Sequence, residues 1–533
     1  GLVCSTGCAI DGEDVLVGTS SGVGIFNEQD GMRYIKEGVF ATSMLDFGDG
    51  RIIITTYSGT FIYNCASGTL SALDGLDSRS ACLDGAGNIY IATEGHGIMK
   101  YSRDLKCTEV ITPWDNTLQT SDVELSALFY DASLVLWIGT NGSGCFRSTA
   151  TNRAFSLWTP FPDPGKNQLV TMYTDSRGRL WMTSRDGNVA VMHGGLVQIL
   201  DRKSLSMFRS MPVSAIYETA DGAMWLGSWD HGAGIIAARD VAAACAGRPF
   251  SMKRLPGFPE AISVYKFIRD SNGSIWVTTA SGVWRFVSGR WDNLHYERRN
   301  PGSLSDDFTT DILSDGDIVW VGTRSGLNRI LCSEDGSVRK IDRVHVRSGD
   351  SAGEFVSFIH KSAGDSLWVS VLGLGLAKLV SDPVSDSLEF RVYDRQACPG
   401  FPNNEFESIL EDSDGNFWMG GFGLVRFSPK TLGVKTFTRS DGLQSNAFKI
   451  WDAAMFPDGR MAFGGINGLN IFNPVEITDN PVAPRVRITS LTVNGKEDPV
   501  TGALRLGHGD NNLVFRFSSM HYAQPGKNLY RYR

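Results

Sequence analysis

Ser228-Trp229-Asp230-His231 sets an aromatic ring, a carboxylate and an imidazole side by side. Such a group can stack on the apolar face of a sugar and hydrogen-bond its hydroxyls. Arg185 with Asp186, Arg324, Phe422 and Asn467 add charge, hydrogen-bonding groups and an apolar surface suited to the same chemistry. Asp306, Asp307, Glu354, Asn403, Asn404 and Asn446 are further polar candidates. The motifs of covalent or metal-assisted catalysis are missing: there is no nucleophile elbow, HExxH or Walker-type Gly-Lys-Ser/Thr. Eight His are scattered without ligand spacing. Asp412-Ser-Asp-Gly-Asn416 has the outline of a calcium loop but lacks its third acidic position and distal Glu, so it reads as a hairpin turn. No metal and no cofactor is expected, and no enzymatic activity.

The 533 residues are 42% hydrophobic and 20% charged, an ordinary globular mix. A net charge of −8 weighs against nucleic-acid binding. No apolar run approaches the roughly 18 residues of a membrane span. Gly1-Leu2-Val3-Cys4 lacks the basic start and long apolar stretch of a signal peptide, and because the sequence begins without Met a mature form or an excised piece is expected. Nine Cys include no CxxC pair and, being odd in number, leave at least one free thiol. They read as small buried residues rather than a disulfide framework. The 60 Gly point to many tight turns.

Those turns belong to a repeat. Leu16, Ile53, Tyr90, Trp137, Trp181, Trp225, Trp276, Trp320, Trp368, Trp418 and Ala462 form a column of anchors spaced about 45 residues apart. Two positions after each anchor stands a small residue, as in Gly18, Gly227, Gly322 and Gly420. Three positions before it, Gly recurs in seven of the eleven copies. The pattern predicts an inner strand A, a tight Gly turn, an anchor-bearing strand B, a strand C and a less regular strand D. Along strand B the anchor and the small residue share a face, so the small residue is expected to leave room for a large ring between adjacent sheets. The predicted fold is all-β, built of β-propeller blades of four antiparallel strands.

Eleven blades exceed the roughly four to eight of one ring. The expected partition is four blades of a truncated propeller over 1–154, a seven-bladed propeller over 155–474, a Pro-containing linker over 475–484, and a partial immunoglobulin-like β-sandwich over 485–533. Strands are predicted at 486–493, 513–517 and 529–532. Trp284 and Trp451, on predicted strands, read as core residues, while Trp114, Trp158 and Trp291 fall in or near strand D and its loops.

The unit Asp-Ser-x-Gly-x-x-Trp-x-(Gly/Thr)-(Thr/Ser), followed by Gly-(Leu/Val), resembles the two-component regulator propeller repeat. The stretch from Asp441 to Pro474 is similar to the closing blade of that family's second propeller. The tail from Gly507 through Tyr530-Arg-Tyr532 resembles the start of the immunoglobulin-like domain named for its three tyrosines. Ser413-x-x-Asn416 with Trp418 also resembles the Asp box of sialidases, without the arginine cluster and paired carboxylates those enzymes need.

The resemblance implies the periplasmic sensor part of a hybrid two-component system of Bacteroidetes. Such a protein is anchored by a membrane helix lying outside these residues and signals to a histidine kinase and a DNA-binding output. It implies recognition of an oligosaccharide by a homodimer, with no nucleic acid bound by this region. In a four-stranded blade the B–C and D–A connections share one end of the ring. Trp229, Asp230, His231, Arg185, Arg324, Phe422 and Asn467 all fall there, on loops held by a rigid scaffold. A propeller lyase or glycosidase and a protein–protein scaffold are the alternative readings.

Overall fold

In the computed structural model the turn chemistry of the repeat is explicit. The Asp412 Oδ1 accepts hydrogen bonds from the backbone N–H of Asp414 and Asn416, closing the A–B turn. Its Oδ2 accepts the indole Nε1–H of Trp418 at 2.9 Å. The same carboxylate–indole bond joins Asp175 to Trp181 (2.8 Å), Asp270 to Trp276 (2.7 Å) and Asp131 to Trp137 (2.8 Å). The seven turn glycines that precede an anchor all have φ between 71° and 85°, a region that β-carbons disfavour.

The structure describes residues 4–11, 14–111, 123–348, 351–498, 506–528 and 530–531. They form two compact units, Ala154–Ile477, and Gly1–Arg153 together with Thr478–Arg533. Ala154–Ile477 contains seven four-stranded antiparallel sheets. Their inner strands are Leu169–Thr174, Val213–Glu218, Val264–Arg269, Thr309–Asp315, Val356–Lys361, Phe406–Glu411 and Phe448–Met455. Each packs against the next, and the seventh packs against the first, closing a ring. The closure is hydrogen-bonded: the outer strand of the seventh sheet is Ser156–Trp158, from the start of the unit, paired with Gly468–Phe472.

In the other unit four sheets follow one another in an open row, with inner strands Cys4–Asp11, Ala41–Asp46, Ser78–Leu83 and Leu125–Tyr130. Its tail forms a three-stranded sheet in the order Lys496–Asp498, Arg487–Val493, Leu513–Ser518. The tail is pinned to the fourth sheet: the Tyr522 ring meets Trp137 edge-on at 5.7 Å, and Arg147 Nη1 donates to the Tyr522 carbonyl at 2.6 Å. Of the strand expected at 529–532, Tyr530 and Arg531 are not in strand; Leu529 and Tyr532, like Trp114, lie outside the described residues. Among the described residues no helix is long and apolar enough to cross a membrane.

The Trp anchors lie between sheets. Trp276, fully buried, packs with Ile312, Val319 and Val321 of the next sheet, and Trp320 with Ile359, Leu367 and Val369. The small residue two positions on has a different role from the one expected. A Cβ on Gly322 would stand 2.7 Å from Val356 Cγ1, and one on Gly18 2.6 Å from Ala41 Cβ. Val356 and Ala41 open the next inner strands. The small column therefore lets neighbouring inner strands approach, and the Trp ring takes its space from elsewhere.

Candidate functional site

Every inner strand carries a β-bulge at its second described position, leaving one residue unpaired where it meets strand B. A bulge re-aims the side chain it frees. In five sheets that residue is a hydroxyl donor to the carbonyl that opens the next inner strand: Ser5 to Ala41, Thr42 to Ser78, Ser214 to Val264, Thr310 to Val356 and Ser357 to Phe406, all at 2.5–2.8 Å. These bonds stitch sheet to sheet. Elsewhere the bulge holds a larger group, Arg79, Tyr265 or Glu407, or, in two sheets, Ser126 and Val170.

In the seventh sheet the irregularity spans four residues, 449–452. It throws Trp451 away from its own sheet, with φ of +65°, a strained value for a bulky residue. The Trp451 ring stacks on Tyr265 of the third sheet (5.1 Å, 12°), and its Nε1–H donates to the Thr310 carbonyl of the fourth at 2.8 Å. Its own carbonyl accepts from Thr171 Oγ1 of the first sheet. Trp451 thus reaches across the ring and joins four of its seven sheets. The reading of Trp451 as core is corrected: it is partly exposed and packs on residues of the opposite inner strands rather than between adjacent sheets. Phe308 continues the aromatic surface, 5.2 Å from Tyr265.

Two of the loops singled out in the sequence converge on this surface. Asp230 is exposed at φ +56°, a conformation Asp tolerates. Its backbone N–H donates to Ser263 Oγ, which in turn donates to its carboxylate at 2.6 Å. Ser263 is two residues from Tyr265. Burial pushes the Tyr265 phenol above its usual pKa, with the Ser263 hydroxyl opposing and the Asp230 charge adding. On the other flank, the Arg324 guanidinium lies 5.8 Å from the Phe308 ring and 3.4 Å from Asp306. Burial would raise the Asp306 carboxyl, but the Phe308 N–H, the Ser325 hydroxyl and Arg324 outweigh it and hold it below the usual value. Arg324 itself remains exposed, so the pair is a weak, solvent-screened one that a ligand can displace.

The remaining candidates divide. Trp229 and His231 are half-buried; the His231 ring nitrogen Nδ1 lies 3.2 Å from the Trp229 carbonyl, and Arg254 donates to the His231 carbonyl. Phe422, 58% exposed, bridges to Ala447, whose carbonyl accepts from Gln444; Gln444 in turn holds the Asn467 backbone at 2.9 Å. Phe422 and Asn467 therefore form a second group on the same end. Arg185 is exposed and joins neither group through a side-chain bond among the described residues. The residues that sequence reasoning missed are Tyr265, Phe308 and Trp451. The available signal was Asp452, an acid between apolar residues in the middle of a strand. Its carboxylate is fully buried against Gly464, both oxygens lack a partner, and burial raises its pKa well above the usual value. No group of His, Cys, Asp and Glu suited to a metal ion occurs among the described residues.

Segments 207–230 and 400–423 match the family model described as two component regulator propeller. A curated protein from Formosa agariphila, named histidine kinase P4, is 25% identical over 293 residues, covering 51% of this chain and 21% of that protein. The matched part thus spans about a fifth of that relative's length. The extracellular domain of a putative hybrid two component system from B. thetaiotaomicron is similar in structure, with a TM-score of 0.74 at 22% identity over 98% of this chain and 70% of that one. Two segments thus match the two-component regulator propeller model, and the fold is a β-propeller.

Proposed function

We propose that this chain is the ligand-sensing region of a hybrid two-component signalling protein, exposed to the periplasm. In this reading it binds an oligosaccharide without transforming it. The two matched repeat segments, the relative named as a histidine kinase and the likeness in fold to the extracellular domain of a putative hybrid two component system support the class. The ligand sits where the B–C and D–A connections gather, on the partly exposed Trp451 and Phe308 rings packed over the buried Tyr265, with Asp230 and Arg324 reaching its hydroxyls. The observation that carries the proposal is Trp451. It is held at a strained φ and laid across the ring onto Tyr265, an arrangement whose backbone cost finds a purpose in binding. Because Trp451 touches four sheets, a ligand that prefers one of its positions biases the packing of the ring, and that bias is the signal passed to a kinase outside these residues.

Calorimetry against a panel of oligosaccharides tests this. Trp451→Ala and Arg324→Ala are expected to weaken the best ligand by about tenfold or more, roughly 1.4 kcal/mol. Release of shortened or unsaturated products would make the protein an enzyme, and retained affinity in both variants would move the site elsewhere.

A further inference from the structure

The open row of four sheets carries, at the bulge position that Tyr265 holds in the ring, the side chain of Arg79. The Arg79 guanidinium lies over the Tyr57 ring at 4.3 Å, and its Nη2 stands 3.3 Å from Glu94 Oε2 and 3.4 Å from Asp77 Oδ2. Tyr57 packs against Phe40 with ring centroids 4.9 Å apart. Phe40 and Asp77 come from D–A connections, Tyr57 and Glu94 from B–C turns. Backbone bonds from Tyr57 N to the Phe40 carbonyl (3.3 Å) and from Glu94 N to the Asp77 carbonyl (2.8 Å) fix each pair.

Two features of this cluster point to a ligand. The aromatic pair is left in solvent, Tyr57 46% and Phe40 37% exposed, where neither stabilises a core. Within the polar part, Arg79 Nε and Asp77 Oδ1 are buried without a hydrogen-bond partner, which native structures seldom leave so. Those two atoms are shielded, but the Arg79 and Asp77 side chains are 19% and 34% exposed, so a guanidinium donor and a carboxylate acceptor stand beside an exposed aromatic surface, the complement of a sugar with apolar C–H groups on one face and hydroxyls that both give and accept. Burial, with the charges of Glu94 and Glu124, raises the Asp77 carboxyl against the pull of Arg79. Three carboxylates against one guanidinium make the cluster net negative, which disfavours an anionic ligand.

We infer that Phe40, Tyr57, Asp77, Arg79 and Glu94 form a second saccharide site, for a neutral oligosaccharide, separate from the site in the ring. One sugar ring lies on the Phe40–Tyr57 surface, and its hydroxyls engage the Arg79–Asp77 pair. The inference needs no property of the ring site, and the two are tested by different variants.

The test is a printed array of neutral oligosaccharides (glucan, mannan, xylan and galactan fragments) and acidic ones (polygalacturonate and sulfated fragments), read with the whole chain. At least one neutral fragment is expected to be captured, with tenfold or greater loss in Tyr57→Ala and in Arg79→Gln. Tyr57 is exposed, so unaltered thermal unfolding of Tyr57→Ala confirms that the loss is one of contact. Capture of no neutral fragment, capture of acidic fragments alone, or capture that survives both Tyr57→Ala and Arg79→Gln overturns the inference. A fragment lost in Trp451→Ala but kept in Tyr57→Ala leaves the ring site standing while this one falls.

Discussion

In the ring, the anchor of every sheet is covered by the sheet that follows, whereas in the open row the last anchor, Trp137, has no following sheet among the described residues. It is partly exposed and meets the edge of Tyr522 instead. The same residue type, in the same turn and with the same Asp–indole bond, is fully buried as Trp276 and half-covered as Trp137. Local sequence sets the hairpin; the neighbouring sheet sets the energy. Trp276→Ala is expected to cost about 3–5 kcal/mol, the range for emptying a packed site. Trp137→Ala should cost well under half of that, because less apolar area is lost. Urea unfolding of each variant, with hydrogen exchange to assign the affected unit, checks this. Equal losses would break the comparison.

A smaller effect sharpens it. Asp270→Ala removes the acceptor of the Trp276 indole and of two turn amides. The expected loss is about 2–3 kcal/mol, as for a hydrogen-bonded charge whose buried partners are left unsatisfied. Asp131→Ala should lose less, since water reaches part of Trp137. The ring contains a natural variant of this change: Ser314 stands six residues before Trp320, and the Trp320 Nε1 is buried without a partner.

These contrasts also explain what the sequence made legible. The anchor, the turn glycine and the small residue recur because each repeat needs the same hairpin and the same close approach of inner strands, so the propeller was readable from spacing. The role of the small column was not readable, because the atom it accommodates belongs to the next repeat. Asp230 and Arg324 were readable as loop residues with the right chemistry. Tyr265 and Arg79 were not, because a bulge is a register shift between two strands and leaves no mark within one of them; for Trp451 the neighbouring acid Asp452 was the one local signal. Lys449-Ile-Trp-Asp452 looks like uninterrupted strand until its pairing with Met461–Gly465 is known.

The irregularity at 449–452 gives the ring a titration that acts against it. Burial raises the Asp452 pKa far above its usual 3.8, so between that value and the higher folded one the native state holds a proton the unfolded chain has lost. Stability therefore falls as pH rises through that window. Asp452→Asn should flatten this slope, gaining stability at pH 7 and little at pH 4. Thermal unfolding of the two proteins across pH 4–8 decides it, and a variant less stable than the parent at pH 7 would mean that the carboxylate has a partner.

The smallest expected effect runs the other way. His360 packs edge-on against Phe417 and holds its Nε2 3.1 Å from Glu411 Oε2, whereas the one described His in the open row, His96, is exposed. Burial lowers the His360 pKa and outweighs the opposing pull of Glu411. Its folded value lies below the usual 6.5, so as pH falls past that point the unfolded chain takes up a proton before the native one does, and stability declines with it. Above about pH 6.5 both states are neutral here and the contribution is constant. His360→Gln should remove the decline between pH 6.5 and 5, as thermal unfolding across that range will show. If the decline is the same in His360→Gln, burial does not lower the His360 pKa and Glu411 governs its state.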